Sequence, residues 1–273
     1  MRATFSETVL ALACCALLAA ALFAPGVVQP GHYHAFADAR TIAGIPFAMD
    51  VVSNLAFAIA GLVGLGYLWA LPPRSLSNMQ RAMAVLFFMG LVLTAAGSSW
   101  YHWQPDDAGL VIDRLGMAVA FAGILGLAAA DRVSDRAGAA LGLGVLLLAP
   151  IAIKTCAATG NVLPWTLLQF GGMVLVGWFA GLRPLHGALG IRWALVILVY
   201  GVAKLSEIND HEVYELTGHW VAGHTLKHLV ASLAAWPVIM AIRALAESRQ
   251  NAPGFARIQG ATPRRAGRAT ASQ

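Results

Sequence analysis

The chain of 273 residues is 59% hydrophobic and only 11% charged, and its mean hydropathy is +0.69. Soluble domains carry about 25% charged residues, so a water-soluble fold could not keep this much apolar surface dry. The net charge of +5 does not indicate a nucleic-acid partner, because the basic residues are scattered as single arginines through short polar stretches and the tail. Such arginines orient membrane proteins and contact anionic lipid head groups.

Eight apolar segments follow one another, over residues 8–28, 50–71, 83–101, 109–130, 138–156, 164–182, 190–207 and 218–242. Each approaches the length of about 20 residues that a membrane-spanning helix needs, about twice that of a transmembrane β-strand. The sequence therefore predicts an all-α fold, a polytopic membrane helical bundle with a seven-helix core plus one N-terminal helix.

Three parts are predicted along the chain. Residues 1–30 form an N-terminal transmembrane helix, which also resembles a signal peptide but lacks a clear small-x-small cleavage site. Residues 31–245 form the seven-helix membrane domain. Residues 246–273 are rich in arginine, glycine, proline and alanine, a composition that predicts a disordered basic tail.

The arginines predict the orientation in the membrane. If all eight segments span, one side receives Arg2, Arg74, Arg81, Arg132, Arg136, Arg183, Arg192 and the tail arginines, whereas the other receives only Arg40, Arg114, Lys154, Lys204 and Lys227. By the positive-inside rule both termini are cytoplasmic. The alanine-rich loops, with arginine favoured over lysine, suggest a multi-pass protein of a bacterial inner membrane.

Polar side chains concentrate near the predicted outward ends of the helices. They are Ser98, His102, Asp106, Asp107, Asp113, Lys204, Glu207, Asp210, His211, His219, His224 and His228. Ionisable groups inside membrane helices are costly and mark functional sites. One polar pocket that opens to the outer, periplasmic side would explain them together.

Three of these histidines have the spacing of metal ligands. His224 and His228, four apart in GHTLKH, lie on one face of a helix and could reach one ion. His102 could complete a three-histidine zinc site with an open fourth position, as in catalytic zinc sites. Asp113 would then accept a proton from the activated water, and Ser98 would steady the oxyanion.

Each of these residues has a simpler interpretation. The two histidines could hydrogen-bond across the bundle, and the Ser98 hydroxyl could bond its own helix backbone. Asp113 could merely pair with Arg114 or with a histidine. Lys204, Glu207 and Asp210, three apart on one face, could support the site or bind a head group, and the sequence does not choose.

Together these residues resemble the alkaline ceramidase family, within the membrane hydrolase superfamily that includes the adiponectin-type receptors. The resemblance rests on Ser98-x-x-x-His102, an aspartate eleven residues later at Asp113, and a late His224-x-x-x-His228. The segment SNLAFAIAGLVGL from Ser53 resembles the first core helix of that family. The similarity covers roughly residues 36–242, which leaves the first helix as an addition to the family's seven.

The resemblance implies a zinc-dependent amidase that cleaves ceramide-like membrane lipids to a sphingoid base and a fatty acid. Calcium, which is associated with an acid-rich N-terminal stretch in the eukaryotic enzymes, is not expected here. Only Asp38 and Asp50 lie between the first two segments, and Phe47 stands where another ligand would be sought. Beyond the lipid bilayer and the lipid substrate, no obligate protein partner is indicated.

Other functions remain open at this stage. The same zinc site could hydrolyse another N-acyl or acyl lipid, or the chain could be a non-catalytic lipid-sensing seven-helix receptor. A haem-b electron carrier would use His102 and one of the later histidines as axial ligands. A transporter would be favoured by inverted repeats or broken helices in matched halves, and neither is evident in the sequence.

Overall fold

The computed structural model describes residues 4–250, which fold into eleven helices with isolated β-bridges and without a strand in that range. The helices are α1 (Phe5–Phe23), α2 (Ala48–Ser53), α3 (Leu55–Ala70), α4 (Asn78–Trp103), α5 (Asp107–Arg132), α6 (Asp135–Thr159), α7 (Leu163–Gly181), α8 (Trp193–Ile208), α9 (Asp210–Leu216), α10 (Gly223–Leu233) and α11 (Trp236–Gln250). This confirms the predicted all-α, polytopic helical bundle.

Seven of these helical stretches are long and apolar enough to cross a membrane, so the chain has the build of an integral multi-pass protein. They are α1, α2 with α3, α4, α5, α6, α7, and α10 with α11. The eighth predicted segment, residues 190–207, forms α8, which has only 16 residues and is about 24 Å long. The first segment is helical only to Phe23, because Pro25 favours the extended conformation seen at Ala24, and the chain then forms a bridge from Val28 to Asn161.

Two of the predicted spans are interrupted by local structure, and the first of them breaks at Asn54 between α2 and α3. The last one breaks between α10 and α11, just before Pro237, since a proline has no N–H to continue the helical hydrogen bonds. α11 then continues to Gln250, beyond the boundary predicted at residue 245. The rest of the predicted disordered tail, residues 251–273, lies outside the described part of the chain.

The loops gather at two opposite ends of the bundle. At the end we call the histidine end, the chain after α1 meets the α6–α7 turn, where the Gln29 N–H donates to the Gly160 carbonyl at 2.8 Å. At the other end, which we call the arginine end, Arg132 donates to backbone carbonyls of the α7–α8 connection, and Arg136 pairs with Glu7 at the start of α1. Successive loops alternate between these two ends, which agrees with the arginine distribution predicted from the sequence. The cytoplasmic placement of the arginine end stays a prediction.

α4 and α5 form the centre of the bundle and approach each other unusually closely. A Cβ added at Gly123 would lie 2.1 Å from the backbone nitrogen of Phe87, and one added at Gly90 would lie 2.2 Å from that of Ala120. Helices in lipid associate through such small residues, which let backbones touch. α1, by contrast, packs mainly on α7 and buries only Leu10 fully.

We expect Gly123→Ala to destabilise the protein by more than about 3 kcal/mol, because overpacking costs about 1–3 kcal/mol even where side chains can adjust and here backbone must move. Gly177→Ala is the matched control, since a Cβ there meets nothing within 4 Å and alanine favours helix by up to about 1 kcal/mol. Thermal denaturation in detergent measures both. Equal melting temperatures for the two variants would contradict the close α4–α5 contact.

Candidate metal centre

The structure brings His102, His224 and His228 together in the interior near the histidine end. His102 lies in the last turn of α4, and the other two lie one turn apart in α10. All three are buried, with 0%, 7% and 1% of their surface exposed respectively. One ligand atom from each lies within 4.8 Å of the others, so the group could hold a metal ion.

The nitrogen geometry is suited to one small ion. The Nε2 atoms of His102 and His224 are 3.1 Å apart, close to the spacing of about 3.3 Å expected for two nitrogens bound tetrahedrally at 2.0–2.1 Å. His228 Nε2 and His102 Nδ1 are buried without a hydrogen-bond partner among the described residues. Buried polar atoms normally have partners, and an ion held by the Nε2 atoms of the three histidines would provide one for His228 Nε2.

A hydrogen bond to the Ser53 hydroxyl sets the tautomer of His228. The Ser53 hydroxyl donates its one proton to the Asp50 carbonyl at 3.1 Å, so its oxygen is left to accept from His228 Nδ1 at 2.8 Å. The Nδ1 atom must therefore carry the ring proton, and the lone pair of Nε2 points away from Ser53. Ligating histidines are generally oriented in this way by a second hydrogen bond.

Two carboxylates hold the start of α10 in place. Asp210 accepts from the backbone N–H of His224 at 2.6 Å and from that of Ala37 at 3.0 Å, so it satisfies an N-terminal donor of the helix. Asp50 accepts from the Thr225 hydroxyl at 2.6 Å. Asp210 thus supports the site, which is one of the two roles that the sequence left open for Lys204, Glu207 and Asp210.

Ser98 and Asp113 face the same cavity as His228. Gly97 makes this possible, because a Cβ there would lie 2.7 Å from the Ile112 carbonyl and hold α4 and α5 apart. Arg114 does not pair with Asp113 within residues 4–250, and instead donates to the Tyr33 hydroxyl and to Cys156 Sγ.

A loop residue covers the histidines from the histidine end. The ring centroid of Phe36 lies 4.6 Å from that of His102 and 4.5 Å from that of His224. The twelve polar residues do not all line one cavity, so the single shared pocket predicted from the sequence is wrong, and the side to which the site opens stays a prediction. Asp106, Asp107, His211 and His219 lie outside the cavity that the catalytic candidates line, because they occupy loops, the start of α5 and the exposed α9.

Charged residues anchor this covering loop. The buried Asp38 carboxylate accepts from the Arg40 side chain at 2.6 and 2.7 Å, and Arg40 also donates to the Trp220 carbonyl. Burial acts to raise the pKa of Asp38, but the hydrogen bonds and charge of Arg40 outweigh it and hold the pKa below its ordinary value. The two acids between the first predicted segments, Asp38 and Asp50, thus both serve internal contacts.

On the other side of the histidines, a cavity extends into the bundle among α3, α4, α5, α7, α8 and α10. Most of its lining is apolar, including Phe57, Phe87, Leu91, Met117, Phe121 and Ile124. Its charged members are Asp113, Lys204, Glu207 and Lys227. Such a space, apolar with a few convergent polar groups, is typical of a small-molecule site.

Several residues of the site were not identified from the sequence. Ser53, Thr225 and Phe36 orient, anchor and cover the histidines, yet each lies more than 60 positions from a residue it contacts. Lys227 was counted only as a loop charge, although its place between His224 and His228 in GHTLKH was a usable signal.

A scan against protein-family models found no match to this chain, and a search of curated proteins found no significant match.

Proposed function

We propose that the protein is a zinc-dependent membrane hydrolase that cleaves the amide bond of ceramide-like lipids, releasing a sphingoid base and a fatty acid. The observation that carries the proposal is a buried three-histidine group, one member of which, His228, lines an apolar cavity within the bundle. Such a cavity suits an acyl chain, and the histidines suit a metal at the polar end of that chain.

The donor set favours zinc over haem. Three imidazoles that leave a fourth position open are the usual ligands of catalytic zinc. The ring centroids of His102, His224 and His228 are 4.7–5.1 Å apart, which leaves no slot for a porphyrin between axial ligands. When bound, zinc would act as a Lewis acid toward the amide carbonyl and make water a better nucleophile near neutral pH.

Asp113 and Ser98 are placed to handle protons and charge in this reaction. Asp113 is 8% exposed and faces the cavity beside the histidines, so it can accept a proton from the attacking water and later pass it to the leaving nitrogen. Ser98 can donate a hydrogen bond to the oxygen of the amide as negative charge develops there. These two residues support catalysis over a purely structural metal site in a lipid-sensing receptor.

The first test is the zinc content of the detergent-purified protein by elemental analysis. We expect about one zinc per chain in the wild type and none in His224→Ala or His102→Ala, because two remaining histidines cannot hold the ion tightly. His186→Ala, at an exposed loop position, is the control and should retain zinc. A wild type without zinc but with a Soret band would support a haem protein instead.

Ser53→Ala should lower zinc affinity by about 10- to 100-fold, because the residue fixes the tautomer of His228 and such supporting contacts have effects of that size. Competition with a chelator of known affinity measures the change. Ser232→Ala is the matched control, since that buried hydroxyl bonds only the Leu229 carbonyl of its own helix. Unchanged affinity in Ser53→Ala would contradict the role assigned to the Ser53–His228 hydrogen bond.

Asp113→Asn should keep its zinc and lose about 10²- to 10⁴-fold in turnover, which is the usual contribution of a general acid–base group. Zinc content and hydrolysis of a ceramide in mixed micelles are measured on the same preparation. Full activity in this variant would remove Asp113 from the mechanism, whereas loss of zinc would show that the carboxylate helps to hold the metal.

A further inference from the structure

Three charged side chains line the cavity beside the histidines without a role in the proposed chemistry. Lys204 and Glu207 come from α8 and Lys227 from α10, and we call them the lysine cluster. Their side chains are only 16%, 25% and 17% exposed respectively. Ionisable groups at such positions in a membrane protein are costly, and they are retained chiefly where they serve a function.

The cluster carries more positive than negative charge. Glu207 accepts from Lys204 through one carboxylate oxygen and from Lys227 through the other, the latter at 3.2 Å. Two ammonium groups thus share one carboxylate, and the cluster has a net charge of +1. Asp113, which also lines the cavity, brings the net charge of the lining side chains to zero. A divalent ion on the histidines raises that net charge to +2.

The ammonium groups also retain unused hydrogen-bond donors. Each has three N–H donors, so the two together have six. Lys204 uses one on Glu207, and Lys227 uses one on Glu207 and one on His224 Nε2 at 2.8 Å. Among the described residues, three donors therefore have no protein acceptor, and a metal on His224 would release a fourth.

These donors point to an acceptor supplied by the ligand. Lys204 Nζ lies 5.8 Å from the ring centroid of Phe170, and much of the remaining lining is aliphatic or aromatic. A buried polar group without a partner is unfavourable. Buried ion pairs often contribute little or nothing to the free energy of folding. Apolar residues of similar volume would therefore serve a purely structural role at least as well.

We propose that Lys204 and Lys227, which share Glu207 as their one counter-charge, bind an acidic group of the lipid substrate. The substrate is then an N-acyl lipid that carries a carboxylate or phosphate at its polar end, in preference to a neutral ceramide. Charged oxygens accept the unused N–H donors and offset the excess positive charge. For its reaction this inference rests on the proposed hydrolase function, whereas the binding itself can be measured without turnover.

The test measures lipid binding to the full-length protein in detergent by isothermal titration calorimetry, with zinc and after chelation. N-palmitoylglycine and ceramide 1-phosphate supply the carboxylate and the phosphate, and N-palmitoylethanolamine is the neutral lipid matched in chain length. We expect at least one acidic lipid to bind zinc-loaded protein about tenfold tighter than the neutral one, and the better acid identifies the group. Lys204→Met should abolish that preference and leave neutral-lipid affinity within about twofold.

Two further variants separate recognition from structural support. Glu207→Gln removes the negative member of the cluster and should tighten acidic-lipid binding, whereas a structural role predicts weaker binding of every lipid. Lys154→Met, on the exposed side of α6, removes a lysine outside the cavity and should change nothing.

Equal affinity for acidic and neutral lipids, or an equal loss for both in Lys204→Met, would overturn the inference. The two proposals fail separately. If neutral amides are cleaved and bind as well as acidic ones, the hydrolase proposal stands and this inference fails. If an acidic lipid binds through Lys204 but no amide is cleaved, the inference stands for binding and the hydrolase proposal fails.

Discussion

A bilayer offers no water to a buried polar group, so every N–H, hydroxyl and charge inside the bundle needs a partner from the protein or from a ligand. This constraint explains the detailed structure around the histidines. Asp210 accepts from the first turn of α10, Thr225 donates to one oxygen of Asp50, and Ser53 bonds to Nδ1 of His228. The few polar atoms left without partners in residues 4–250 include nitrogens of His102 and His228. Of these atoms, His228 Nε2 is the one that a metal on the three histidines would satisfy.

The cavity beside the histidines combines two environments that a lipid hydrolase needs. Its apolar walls suit an acyl chain, while Asp113, Ser98 and the lysine cluster form one polar region at the end of that space. Phe36 covers His102 and His224 from the loop side, whereas His228 lines the cavity within the bundle. A site built in this way admits a substrate that is itself a membrane component.

Much of the candidate site followed from sequence spacing alone. His224 and His228 share a helical face because they are four residues apart, and a helix imposes that geometry wherever it packs. His102 and Asp113 lie on consecutive helices joined by a short turn, so their similar depth is also a local consequence of the chain. The distribution of arginines among the loops likewise predicted which helix ends lie on the same side of the bundle.

Other features depended on contacts between distant parts of the chain. Ser53 lies 175 positions from His228, and no local periodicity could pair them. The cluster of Lys204 and Lys227 around Glu207 required α8 and α10 to pack side by side, and the covering position of Phe36 required a long loop to fold back over α4.

By itself, the sequence determined that the protein is a bundle of membrane helices with one group of histidines near a common end, because hydropathy and helical spacing are local properties. Only the tertiary structure decided which hydroxyl orients a histidine, which carboxylates support α10, and that two lysines face the cavity. Those outcomes depend on how helices distant in sequence pack, since the need to satisfy buried polar groups is met by whichever neighbour the packing supplies.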